Sequence, residues 1–167
     1  MDELTPQDKD FLFQTVLQVG LAVMTASPSG VEGTFLETET MVQAPTELAK
    51  NFPNSALIQA ILAANKGGEE DVVDEAGKPA SNRAEAPDEI LVETLTMCRR
   101  TAEILAGVDP AEAEQYKSWV LACGAAVAEV SKEGGFLGFR KKLVTDDERD
   151  TLEQVARVLG ASMPQLP

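Results

Sequence analysis

Residues Thr5 to Gly30 read TPQDKDFLFQTVLQVGLAVMTASPSG, and the way this stretch folds decides the fold of the chain. It opens as a helix start. Thr5 is an N-cap residue, Pro6 has the fixed φ suited to a first helical position, and Asp8 stands where a carboxylate can answer the cap. From Phe11 to Met24 the apolar residues surround the helix axis instead of forming one stripe, which predicts a helix at the centre of a bundle. "SPSG" closes the segment, so the helix is expected over 6–26.

A weak internal repeat extends this reading. VGLAVMTASPSG at Val19–Gly30 aligns without gaps to CGAAVAEVSKEG at Cys123–Gly134, matching Gly20 to Gly124, Ala22 to Ala126, Val23 to Val127, Ser27 to Ser131 and Gly30 to Gly134. The second copy closes a stretch that begins "DPAE", where Asp109 caps, Pro110 starts the helix and Glu112 is placed to close a capping box. Two long central helices are therefore expected, the second over 110–130. Gly20 and Gly124, with Ala122, Ala125 and Ala126, would allow their backbones to approach. A mid-helix glycine costs about 1 kcal/mol against alanine, so close packing is a physical reason to keep one.

Further helices are expected at 33–44, ending before Pro45, with a turn or two over "TELAKNF". Another covers "NSALIQAILAAN", with Leu57, Ile58, Ile61 and Leu62 on one face, and another 88–106, with the stripe Leu91, Leu95, Cys98, Ala102 and Leu105. The last, 146–159, is capped by "TDDE", carries Leu152, Val155, Ala156 and Leu159 inward, and ends at Gly160. Residues 66–87 carry glycines and a Glu/Asp cluster without apolar periodicity, and read as a mobile acidic loop. No segment alternates as a strand does. The fold class is all-α, a compact bundle of about six helices in a single helical domain, 1–167.

The charge excludes some functions. Fourteen Lys and Arg against 28 Asp and Glu give a net charge of −14, so phosphate backbones are repelled and nucleic acid is not expected as a partner. The acid is uneven: residues 1–98 carry 5 basic and 17 acidic side chains, residues 99–167 carry 9 and 11. No apolar run has the length of a membrane span, and "MDELTPQD" is the reverse of an export signal. Two cysteines, Cys98 and Cys123, both within expected helices, read as buried thiols of a cytoplasmic protein.

Catalytic constellations are missing from the sequence. With no histidine in the chain, Ser-His-Asp and Cys-His activation and imidazole metal ligands are all excluded. There is no C-x-x-C pair, P-loop or dinucleotide fingerprint, so no cofactor is expected and the chain does not read as an enzyme. Glu37 and Glu39, two apart on a helix, point in different directions. Asp146, Asp147 and Glu148 fill a helix first turn, where the dipole favours acids. "EEDVVDE" at 69–75 lacks the alternating ligands and central glycine of an EF-hand.

One segment remains. SKEGGFLGFRKKLV, Ser131 to Val144, joins glycines and phenylalanines to the one run of three basic residues in an acidic chain. Phe136, Leu137 and Phe139 can plug the bundle, or, beside Arg140, Lys141 and Lys142, form an aromatic anchor with a basic rim that docks a protein partner. Burial of the phenylalanines is compatible with an outward basic triplet.

"AAVAEVSKEGGFLGF" followed by "TDDERDTLEQVARVLG" resembles the C-terminal end of an uncharacterised family of small bacterial all-helical proteins, in which a GGFLGF-type loop precedes a capped final helix. The likeness extends more thinly to "GLAVMTASPSGVEGT". The helix, glycine turn and acidic helix start are also distantly similar to the tellurite-resistance TerB-like fold, whose acidic turn positions read Ser29 and Glu133 here, with an insertion at 135–144. The first resemblance implies architecture alone. The second implies, as an alternative function, a metal-responsive stress protein binding divalent cations through acidic helix starts. The leading expectation is a non-enzymatic cytoplasmic module that binds another protein or itself as a homo-oligomer.

Overall fold

The computed structural model describes residues 4–27, 30–65, 86–130, 144–164 and 166, with side chains in the second helix from residue 34. Among them stand six α-helices: α1 Pro6–Ala26, α2 Gly30–Leu48, α3 Ala56–Asn65, α4 Pro87–Leu105, α5 Pro110–Val130 and α6 Asp146–Leu159. A single 3₁₀ turn, Ala49–Asn51, follows α2. The described part of the chain is a compact all-α bundle, and none of its helices is long and apolar enough to cross a membrane.

α1 lies at the centre, touching each of the other five helices, as its encircling apolar surface requires. Its start closes the expected capping box: Asp8 N–H donates to Thr5 Oγ1 at 3.1 Å and Thr5 N–H donates to Asp8 Oδ2 at 3.1 Å. α5 is its partner in the core. Leu12 lies beside Tyr116 and Val19 beside Gly124, so the two helices run in the same direction. Gly20 lies against Met41 and Met24 against Thr38, so α2 runs back along α1.

The two glycines of the repeat therefore serve different contacts, not one symmetric crossing. A Cβ on Gly124 would lie 2.7 Å from Leu152 Cδ2 and 3.1 Å from Val19 Cγ1, so this glycine admits both α1 and α6 to the α5 backbone. A Cβ on Gly20 would lie 2.7 Å from Met41 Cγ, so Gly20 faces α2 instead.

Three further expectations, about helix bounds and faces, need correction. The helix expected to stop before Pro45 continues through it to Leu48. Proline in a helix interior removes one backbone bond and costs about 3 kcal/mol. Here the Pro45 carbonyl accepts a 3.0 Å bond from Trp119 Nε1, and Ala44 and Ala49 are buried beside it, so docking on α5 holds the segment helical. In α4 the buried stripe is Ile90, Thr94, Cys98, Thr101 and Leu105, turned from the expected stripe so that Leu91, Leu95 and Ala102 lie half-buried on its flank. Two threonines enter the core because their hydroxyls are satisfied there: Thr94 donates to Ile90 O at 2.7 Å, and Thr101 meets Thr15 at 3.0 Å. Finally, the stretch expected as an acidic loop lies outside the described residues through 85, but its end, Ala86 and Pro87, already forms the start of α4.

α6 follows its sequence closely. Glu148 N–H donates to Thr145 Oγ1 at 3.2 Å, and Thr145 N–H donates to Glu148 Oε2 at 2.7 Å. Leu152, Val155, Ala156 and Leu159 are buried. Gly160 at φ 65° ends the helix in a Schellman turn, with Ala161 N–H on Ala156 O and Gly160 N–H on Arg157 O.

Candidate functional site

The docking residues expected from sequence, Phe136, Leu137, Phe139, Arg140, Lys141 and Lys142, lie outside the described residues. What the structure defines is how the chain on either side of them is held. α5 ends at Val130, and the chain re-enters the core at Val144, which is buried. The closed box at Thr145 and Glu148 follows at once, so the segment leaves one fixed helix and enters another.

The acidic first turn of α6 does not gather its carboxylates. Asp146 and Asp147 are exposed, whereas Glu148 is buried and bonded back to the Thr145 amide. Among the described residues, no group of three or more Asp, Glu or Cys side chains could hold a metal ion. Glu37 and Glu39 diverge as expected, the former buried in the bundle and the latter exposed.

Both cysteines are free and buried. Burial pushes the Cys98 thiol up to about 12 despite the nearby Arg99 charge, and burial raises that of Cys123 further still. Neither is a thiolate near neutral pH, which fits the reading of both as core residues.

Sequence reasoning missed a polar seam at the junction of α1, α4 and α5. Tyr116 donates to Leu12 O at 2.7 Å, and Thr15 Oγ1 donates to Phe11 O at 2.9 Å while sharing a 3.0 Å bond with Thr101. Burial, and then the neighbouring Cys98 and Cys123, hold the Tyr116 phenol well above its usual range, against the opposing effect of a bond with Thr101. At the margin of this junction the Arg100 guanidinium sits 4.4 Å above the Phe11 ring. A threonine inside an apolar run and the one tyrosine of the chain were the available signals. Buried polar groups with partners of this kind select one helix register over its neighbours.

Glu112 was also misread. Asp109 caps α5 as expected, accepting from Ala111 N–H at 2.9 Å and Glu112 N–H at 3.3 Å. The Glu112 carboxylate, however, leaves its own helix and caps α3. It accepts from Ser55 Oγ at 2.6 Å, from Leu57 N–H at 3.0 Å and from Ala56 N–H at 3.2 Å. The Ser55 bond, then the Leu57 amide, hold its pKa below the ordinary carboxylate value, burial opposing and the Ala56 amide adding to the effect.

Outside the core, Phe35 and Val42 stand exposed seven residues apart on α2, hence on one face, and Val92 is exposed on α4. Comparison of the chain with family models, with curated proteins and with solved structures finds no match.

Proposed function

We propose that the protein is a non-enzymatic cytoplasmic helical interaction module that binds an acidic protein surface through Phe136, Leu137, Phe139, Arg140, Lys141 and Lys142. The observation that carries this reading is the placing of three apolar and three basic side chains within residues 136–142 of a chain whose net charge is −14. Apolar anchors beside a basic rim suit a protein interface, and opposite charge steers encounter. A second copy of the chain is one partner of suitable charge, because residues 1–98 carry 17 acidic and 5 basic side chains.

The test is capture of partners from cell lysate by the whole protein and by its Arg140→Glu, Lys141→Glu, Lys142→Glu variant, with far-UV circular dichroism to confirm that both are folded. Loss of a captured protein from the folded variant is the expected result. Equal capture by both overturns the assignment of docking to this segment. Native mass spectra of the same samples, recorded before and after chelation, read self-association directly. A discrete mass lost on chelation would favour the divalent-cation alternative.

A further inference from the structure

We draw no further inference here: the strongest candidate, the exposed apolar face of α2 that carries Phe35 and Val42, has nothing in the structure to show what covers it.

Discussion

α5 and α6 begin with the same kind of signal, a capping residue followed three positions later by glutamate, and they use it in opposite ways. In α6 the glutamate turns back and completes its own cap. In α5 it reaches across the fold and caps α3, 55 to 57 residues away in sequence. Charge and donors explain the difference. Thr145 has a neutral hydroxyl, so Glu148 can approach it without repulsion. Asp109 is a carboxylate, and folding Glu112 back would set two negative groups together at the helix start. α3 offers one hydroxyl and two backbone amides instead, the unsatisfied donors of its own N-terminus.

The contrast runs through both helices. α6 closes its own start and its own end, with a local cap and a glycine stop flanking one buried stripe that packs on the neighbouring helices. α5 is buried on most sides, and its long side chains end on other helices: Tyr116 on α1 and Trp119 on α2. A locally specified helix should tolerate local damage locally, whereas damage to α5 should appear elsewhere in the molecule.

The strongest challenge to this contrast is Trp119→Ala. It removes a fully buried side chain and the donor to Pro45, and should cost about 3–5 kcal/mol in urea unfolding. Hydrogen exchange should show loosening of α2 around Pro45 as well as of α5. A cost below about 1 kcal/mol would mean that α2 is not held through this contact.

Gly124→Ala comes next. Alanine is the better helix former by about 1 kcal/mol, yet its Cβ would meet Leu152 and Val19, so a net loss of about 1–2 kcal/mol is expected. In a Leu152→Ala background, itself destabilised because Leu152 is fully buried, Gly124→Ala should cost less than it does in the parent protein. Additive effects in the double variant would show that the close approach is not limiting.

Glu112→Ala should cost about 1–2 kcal/mol, the charge-assisted bonds being discounted for partial exposure. Its signature is position: faster amide exchange at Ala56 and Leu57 in α3, with the α5 amides little changed. The charge can be separated from the shape by Glu112→Gln. Because the folded state lowers this pKa from 4.5, the unfolded chain binds more protons in that range, and stability rises with pH. The contribution is present above pH 4.5 and is lost as pH falls through the lower folded value. The Gln variant should therefore lose less stability on acidification than the parent protein. Identical acid profiles would remove Glu112 from the account.

Thr145→Ala should have the smallest effect, about 1 kcal/mol, with exchange increased only in the first turn of α6. Loosening that spreads to α3 or α2 would end the view that the α6 cap acts locally.

What could be read in advance follows the same division. The capping box at Thr5, the cap at Thr145, the Gly160 stop and the α6 stripe depend on residues within a few positions of one another, and all were legible. The stripe of α4 was misplaced by its threonines, which look polar in sequence but satisfy their hydroxyls through the Ile90 carbonyl and Thr15. The candidate docking residues were read from composition alone, as an apolar and basic cluster in an acidic chain. The Glu112 tie and the polar seam at Tyr116 gave no comparable signal, because their partners lie dozens of residues away.

By itself the sequence determined the helical class, the central place of α1 and most helix ends. Periodicity and capping act over one or two turns, and those terms do not depend on the rest of the fold. Only the tertiary structure decided that α2 continues through Pro45, that Gly20 and Gly124 face different neighbours, and that Glu112 serves α3. Each of these sets a local preference against a contact with another helix, and the contact prevails when it satisfies a buried polar group or fills a close-packed space.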